Sequence, residues 1–470
     1  MLRMESIGHA IMNAFITPST TPSIMHRRVK IIATIGPASA NEETMKKMVE
    51  NGMDAMRINM SHGDYEEHQT KIDIWRKIAP NKPIILDITG PSIRTVLDES
   101  LNVEEGEKIV IGKDFKTSRD ISSSVSPGDE ILIDDGRVRL KVENVQGNNI
   151  ETLVTVGGEI KSKKSINVPG VDIPYELPTE KDKRDMLWGI KNGVEVVFAS
   201  FVGHADDVIE VKKFLEENGS DAWVFAKIES RLGVKNAEEI LKVADGIVVA
   251  RGDLGVEIPV EGVPAVQKEL ITLARDVGKP VVVATQMLTS MVEQPFPTRA
   301  EVSDVANAVL DGASALFVSN ETAVGKYPVE VIKTLRKIIL ANQDDTDTRE
   351  EVAYEDDADA VALSAIKLIE KMDARFVITP TSSGKSPRKI ARFKPKAKII
   401  ALSDNQTLLR RLQLVYGTEP RFEESPAACK TFMKIVEELR QKGRAKEGDA
   451  IAGVHVGGEG DTHTVRITRA

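Results

Sequence analysis

The 470-residue sequence predicts an α/β fold, a (β/α)8 TIM barrel with an inserted small β-barrel lid domain and a C-terminal α/β domain. Three observations predict it. Eight short apolar, β-branched runs alternate with helix-patterned segments between residues 30 and 319. A stretch of more than a hundred residues with a different texture interrupts them after the third run. Beyond an acidic segment, a second and shorter βα series begins.

The eight runs are KIIATI (30–35), AMRIN (55–59), PIILDI (83–88), EVVFAS (195–200), WVFAKI (223–228), GIVVA (246–250), PVVVAT (280–285) and ALFVS (315–319). Strands this continuously apolar belong in a parallel sheet covered on both faces. Between them, stretches such as NEETMKKMVENG and HADDVIEVKKFLEENG read as helices. A count of eight favours a closed barrel, although counting alone leaves an open α/β sheet standing. The barrel is assigned to residues 25–90 and 174–343. In the interruption, GEKIVIGKDF, GDEILIDDGRVRLKVENVQGNNIETLV and VGGEIKSKKSINVPG show short alternating strands with Gly, Asp-Gly and Gly-Asn turns. Residues 91–173 therefore read as an inserted β domain. The acidic NQDDTDTREEVAYEDDADA (342–360) leads into a C-terminal domain at 344–470, where RFVITP, AKIIALS and AIAGVHV mark strands. Residues 1–24 have no settled period and end in a Ser/Thr/Pro run. They read as a disordered extension, with Met25 placed to serve as the initiator.

Composition removes several function classes. A net charge of −9 argues against a general affinity for nucleic acid or anionic membrane. No apolar run approaches the ~20 residues needed to span a bilayer. The single cysteine, Cys429, rules out an intrachain disulfide framework and a Cys-rich zinc site, and points to a reducing cytoplasm.

Functional groups of a (β/α)8 barrel sit at the C-terminal ends of its strands. Here those ends carry Arg57, Asn59, Ser61 and His62 on the second, Asp87 and Arg94 on the third, and Ser200 on the fourth. The fifth carries Lys227 and Glu229, the sixth Arg251, Gly252 and Asp253, the seventh Thr285, and the eighth Ser319 and Glu321. Glu229 and Asp253 are hard oxygen ligands suited to Mg²⁺ or Mn²⁺. Arg57, Arg94 and Lys227 supply charge for a phosphorylated substrate. Gly252 permits close backbone approach, and a helix opening at Asp253 would offer free N–H groups to a carboxylate. An Arg251–Asp253 ion pair capping the strand is the plainer alternative for Arg251.

The residues resemble the pyruvate kinase family from about Arg28 to the C-terminus. The resemblance rests on MRINMSHG (56–63), LDITGPSIR (86–94), DDGRVRLKV (134–142), SKKSINVPG (162–170), LPTEKDKRDMLWGIKNGVEVVFASF (177–201), KIES (227–230), VVARGDLGVEIP (248–259) and PTRAEVSDVANAVLDGASAL (297–316), in family order. It implies transfer of a phosphoryl group from phosphoenolpyruvate to ADP, giving pyruvate and ATP, in a cytoplasmic homotetramer. By the same resemblance Arg57 holds the transferring group, Lys227 neutralises the charge developing on it, and Glu229 and Asp253 bind Mg²⁺. The Gly252 and Asp253 amides with Thr285 hold the substrate carboxylate, and Thr285 relays a proton to the enolate. Asn59, His62, Arg94 and Lys164 fall on the nucleotide side, so the insert carrying Lys164 is expected to close as a lid.

Departures from the family pattern matter for the monovalent ion. Asn59, Ser61, Asp87 and the Ile88 carbonyl match a K⁺ site, but Thr89 replaces the usual lysine and Ser92 the usual glutamate, leaving K⁺ dependence open. TPTSSGKS (379–386) lacks the first glycine of a P-loop. Its Thr381, Ser382, Ser383, Gly384, Lys385 and Ser386 still suit either an effector phosphate or an ordinary strand–helix turn with a hydroxyl cap. Two rival readings are a Mg²⁺-dependent barrel lyase or aldolase acting on a 2-oxo acid, and a non-catalytic metabolite-binding homologue. The first leaves Lys227 and the two extra domains unexplained, and the second predicts loss of Lys227, Glu229, Asp253 or Thr285.

Overall fold

The computed structural model describes residues 26–346, 356–427, 429–456 and 463–470, with Cys429 described by its backbone alone. The expected N-terminal extension, Met25 and the middle of the acidic stretch lie outside these residues.

Eight parallel strands close into a barrel: Lys30–Thr34, Ala55–Asn59, Ile84–Asp87, Val196–Ala199, Trp223–Ile228, Gly246–Ala250, Val281–Ala284 and Ala315–Val318. The first pairs with the eighth, Lys30 opposite Ala315, so the sheet has no edge and the open-sheet alternative falls. The helices predicted between strands form as well. Glu42–Glu50 starts at Asn41, whose side chain accepts from the Thr44 amide, and Ala205–Glu217 follows the fourth strand.

Side chains fill the barrel interior. Phe198 on the fourth strand stacks on Phe225 of the fifth at 5.7 Å and meets Phe317 of the eighth edge-on at 6.0 Å. A contact between the fourth and eighth strands crosses the barrel, so these rings mark the inward face. Alternation along a strand then places Lys227 and Glu229, two and four residues after Phe225, on that face at its upper end. The same parity carries Ser200 up from Phe198.

The insert forms nine strands between Ile93 and Asn167, in a seven-stranded antiparallel sheet and a two-stranded ribbon. The longest pair, Val138–Gln146 and Asn149–Val156, turns at Gly147-Asn148, the Gly-Asn signal in the sequence. Its core is separate from the barrel's, with Ile109, Ile131, Leu140 and Val154 among its members.

The C-terminal domain is a five-stranded sheet in the order Thr418–Phe422, Lys398–Ser403, Phe376–Pro380, Ala450–His455, Thr464–Arg469, the last strand antiparallel. It packs against the N-terminal end of the barrel. Buried Glu195, at the start of the fourth barrel strand, accepts from Arg76 and from Arg410 of the C-terminal domain at 2.8 and 3.0 Å. Lys30 Nζ donates to the Thr418 carbonyl at 2.5 Å, and Arg388 covers the Trp223 ring.

One ion pair in this domain gives stability a pH dependence. Both Glu419 oxygens accept from Arg444 at 2.8 Å, and Lys398 adds a third contact at 2.8 Å. Burial alone would raise the Glu419 carboxyl, but Arg444 and Lys398 outweigh it and hold it down at about 2. A depressed carboxyl stabilises the fold above its unfolded pKa, near 4.5, and loses that contribution as pH falls toward 2. Glu419→Gln is expected to cost about 1–2 kcal/mol at pH 7, discounted for partial exposure, and about a quarter of that near pH 2.5. Thermal melts of both proteins across that range check it.

Candidate active site

A cleft of about 550 Å³ opens between the C-terminal rim of the barrel and the insert. It brings together Arg57, Asn59, Ser61, His62, Asp87, Arg94, Lys227, Glu229 and Asp253 from the sequence-predicted set. Gly252 faces the neighbouring groove beyond Asp253, while Thr285, Lys164 and Ile88 do not line the cleft.

Lys227 sits at the electrostatic centre. Its Nζ lies 2.9 Å from Glu229 Oε1, 3.3 Å from Asp87 Oδ1 and donates to Ser200 Oγ at 2.8 Å. Burial would lower its pKa, but Asp87, Glu229 and Asp253 outweigh burial and hold it above the usual lysine range. The ammonium therefore stays charged in a nearly dry site. Asp87 is the shared counter-ion: its Oδ2 accepts from Arg57 Nε and Nη2 at 3.0 and 2.7 Å, and Ser200 Oγ donates to its Oδ1. Arg57 is further braced by Thr34 Oγ1 and lies over the Phe317 ring at 5.2 Å. Sequence reading noted Ser200 only as a strand end; its bridge between Lys227 and Asp87 needed the barrel register to be seen.

Glu229 and Asp253 come from adjacent strands, as expected. Burial raises both, and their proximity to each other adds to the effect on Glu229, which is pushed up to about 7 despite Lys227. The insert's Asp135 also faces Asp253 and raises it further. Such a pair calls for a cation. Among the described residues no cluster of three or more His, Cys, Asp or Glu side chains is placed to hold a metal. Two carboxylates with room in an adjoining cleft fit a hard divalent ion that keeps most of its shell for water and substrate oxygens.

The sixth-strand cluster has a different logic from the one expected. Arg251 does not pair with Asp253; its Nη1 binds Asp304 at 2.7 Å. Its Nη2 donates to the carbonyls of Thr285 and Gln286 at 2.8 and 3.2 Å. Those two residues end the seventh strand at φ +69° and +51°. Left-handed backbone at a β-branched threonine costs ~1–3 kcal/mol, and Arg251 holds it in place. Thr285 Oγ1 accepts from the Gly252 amide at 2.7 Å and donates to the Ala284 carbonyl at 2.6 Å. A Cβ on Gly252 would lie 3.3 Å from that hydroxyl. Gly252→Ala is expected to displace Thr285 and lower kcat/KM for the carboxylate-bearing substrate by about tenfold, about 1.4 kcal/mol. Steady-state kinetics on that substrate read it directly. At the eighth strand, Ser319 and Glu321 are structural, since Glu321 accepts from the Ser319 and Leu288 amides.

On the opposite side of the cleft, Asn59 Oδ1 accepts from the Ser61 amide and Ser61 Oγ meets Thr89 Oγ1 at 3.3 Å. Burial, then Arg57 and Arg94, lowers the His62 pKa. Lys164 reaches Asp134 at 2.9 Å, and Arg94 donates to the Lys163 carbonyl. Sequence reading missed Lys181, whose Nζ donates to the Met60 carbonyl at 2.7 Å and lies 3.3 Å from Thr89 Oγ1. The insert touches the barrel rim where Asn167 Nδ2 donates to Glu257 Oε1 at 2.9 Å.

Comparison with known proteins matches this architecture. Residues 26–332 match the model of the pyruvate kinase barrel domain, and residues 359–468 that of the pyruvate kinase alpha/beta domain. The chain belongs to the pyruvate kinase family. It is 41% identical over 473 residues to the pyruvate kinase of Geobacillus stearothermophilus and 40% over 469 to that of Sporosarcina psychrophila. A Staphylococcus epidermidis pyruvate kinase is 38% identical over 468 residues. Each alignment covers 94% of this chain and 80% of the relative. A pyruvate kinase assignment disposes of the barrel-lyase alternative and accounts for both domains that alternative left unexplained.

In the C-terminal domain, the 381–386 loop forms a hydroxyl-capped turn. Thr381 Oγ1 accepts from the Gly384 amide, Gly384 is left-handed at φ +79°, and Ser386 Oγ donates to the Val456 carbonyl.

Proposed function

We propose that the cleft transfers the phosphoryl group of phosphoenolpyruvate to ADP, giving pyruvate and ATP, with the residues in these roles. Arg57 holds the transferring phosphoryl group. Lys227, fixed by Ser200, Asp87 and Glu229, presents a full positive charge where the bond to the enolate oxygen breaks. The Asp253 amide and, once it gives up its hydrogen bond to Thr285 Oγ1, the Gly252 amide hold the carboxylate together with Thr285, and Thr285 passes a proton through water to the enolate methylene carbon. Asn59, His62, Arg94 and Lys164 receive the nucleotide. Glu229 and Asp253 would hold Mg²⁺ or Mn²⁺, which would supply charge neutralisation for the transfer. Residues 91–173 act as the lid, and the Asn167–Glu257 hydrogen bond supports closure over the cleft.

The observation that carries the reading is the buried Lys227–Glu229–Asp87–Arg57 cluster at the mouth of a family-matched barrel. Its test is pyruvate formation with ADP and Mg²⁺ each present or withheld. Turnover is expected only with both, and turnover without ADP counts against the reading.

K⁺ is expected to be dispensable. Arg57 and Lys227 already neutralise Asp87, Ser92 adds no charge, and the Lys181 ammonium lies beside Thr89. Matched buffers with and without K⁺ should give kcat values within about twofold, a barrier difference near 0.4 kcal/mol. A tenfold activation by K⁺ would show that Asn59, Ser61, Asp87 and the Ile88 carbonyl still hold the ion.

The assembly is read as a homotetramer in the cytoplasm. Exposed apolar Val260, Phe296 and Val324 follow the sixth, seventh and eighth strands on one side of the rim, which supports contact with other copies. No helix among the described residues is long and apolar enough to cross a membrane. Ser382, Ser383 and Lys385, the exposed part of the 381–386 loop, are what a phosphorylated effector would meet.

A further inference from the structure

Positive charge around the cleft falls into two sets. The deep set, Arg57 and Lys227, is matched by Asp87 and Glu229. The rim carries Arg231 and Lys235 from the barrel and, from the insert, the pair Arg94 and Arg119, all lining the same cleft. Neither Arg94 nor Arg119 forms an ion pair among the described residues, and Arg119 Nε is buried without a hydrogen-bond partner.

Arg119 is held in position by its backbone. Thr117 Oγ1 donates to the Arg119 carbonyl at 2.6 Å. Ser118 brackets Arg94 from both directions: its amide donates to the Arg94 carbonyl at 2.8 Å, and its Oγ accepts from the Arg94 amide at 2.9 Å. The two arginines therefore project from adjoining segments of the insert. Arg119 also borders a second hollow of about 540 Å³, walled by Ser92, Tyr175 and Thr179 at the junction of insert and barrel. Glu176 and Glu180 share that wall, but neither forms an ion pair with Arg119, and Glu180 is paired with Lys183 at 2.7 Å. Tyr175 donates its hydroxyl to Asp207 at 2.6 Å, and Ser92 stands where the family pattern has glutamate. Burial accordingly lowers the Arg119 pKa, with Tyr175 opposing only weakly.

A half-buried guanidinium with an orphaned Nε and no ion pair is unfavourable until an anion arrives. The deep set already addresses the phosphoryl group being transferred, which leaves the rim pair for the other anionic substrate. We propose that Arg119 is a further nucleotide-binding residue, acting with Arg94 to clasp the diphosphate of ADP from the insert. Arginines from adjoining segments of one cleft suit two linked phosphates, each phosphate able to take a forked pair of N–H bonds. The serine at position 92 is then part of the device, since a glutamate there would compete for the same guanidinium. The proposal rests on the phosphoryl-transfer reading above.

The test is calorimetric titration of the full chain with Mg²⁺-ADP, alongside steady-state kinetics, for the wild type, Arg119→Gln, Arg119→Lys and Ser92→Glu. Arg119→Gln is expected to raise both the Kd and the KM for ADP about tenfold, with the KM for phosphoenolpyruvate and the melting temperature essentially unchanged. Arg119→Lys should recover part of the loss, and Ser92→Glu should reproduce part of it. The dependence of ADP affinity on salt should be shallower in Arg119→Gln, which a merely structural residue would not alter. Unchanged ADP affinity in Arg119→Gln, or equal weakening of both substrates, overturns the proposal. If the wild type itself neither binds nor requires ADP, the phosphoryl-transfer reading has failed instead.

Discussion

Lys227→Met is expected to lower kcat about 10²–10³-fold while leaving the KM for phosphoenolpyruvate within a few-fold. The ammonium is held at three points in a nearly water-free site, so it stabilises developing charge without reorganising during the reaction. Arg57 remains to bind the phosphoryl group, which is why the loss falls on the chemical step. The same substitution leaves Glu229 and Asp253 adjacent and buried without their cation. Metal-free Lys227→Met protein should therefore melt lower than wild type, by an amount reflecting ~3 kcal/mol or less, and Mg²⁺ should restore much of the difference. Kinetics at saturating substrates and melts with and without Mg²⁺ read both effects. A variant with normal kcat and a raised KM would show Lys227 to be a binding residue only.

Glu229→Gln is the second large effect. Because the proposed site offers the divalent ion two protein carboxylates, removing one charge should weaken it far more than in a site with four protein ligands. The Mg²⁺ concentration giving half-maximal rate is expected to rise about 10–100-fold, equivalent to about 1.4–2.7 kcal/mol, with kcat also reduced. Glutamine keeps the shape and can still accept from the Phe201 amide, which meets Glu229 Oε2 at 2.7 Å in the wild type, so the fold should survive. Direct Mn²⁺ titration of the variant and of Asp253→Asn separates lost metal affinity from lost chemistry. Wild-type Mn²⁺ affinity in both variants would place the ion elsewhere.

Much of this architecture is legible in the sequence, for physical reasons. A strand buried on both faces must be apolar throughout, so all eight barrel strands appear as runs, and each ends within about two residues of its predicted position. The polar groups that line the cleft sit where those runs end, so Arg57, Lys227, Glu229 and Asp253 are legible as candidates from the strand ends alone. The edge strands of the C-terminal sheet are harder to see. Thr418–Phe422 contains Glu419, Pro420 and Arg421, and Thr464–Arg469 is half exposed, so neither carries a buried-strand pattern. Partnerships across the chain are harder still. Arg251 and Asp253 are two residues apart, which favours pairing them on paper, but the strand end turns Arg251 outward to Asp304 and the strained Thr285 turn. Arg119 carries no motif at all. Its interest lies in a half-buried guanidinium without an ion pair and with an orphaned Nε, which only packing can show.

The measurement that tests the account most directly is ³¹P NMR of the purified chain with phosphoenolpyruvate, ADP and Mg²⁺ in K⁺-free buffer. The account predicts that the phosphoenolpyruvate signal falls as the γ-phosphate of ATP rises, one for one, with no change when ADP is withheld. Phosphoenolpyruvate consumed into inorganic phosphate, or consumed equally without ADP, would contradict it.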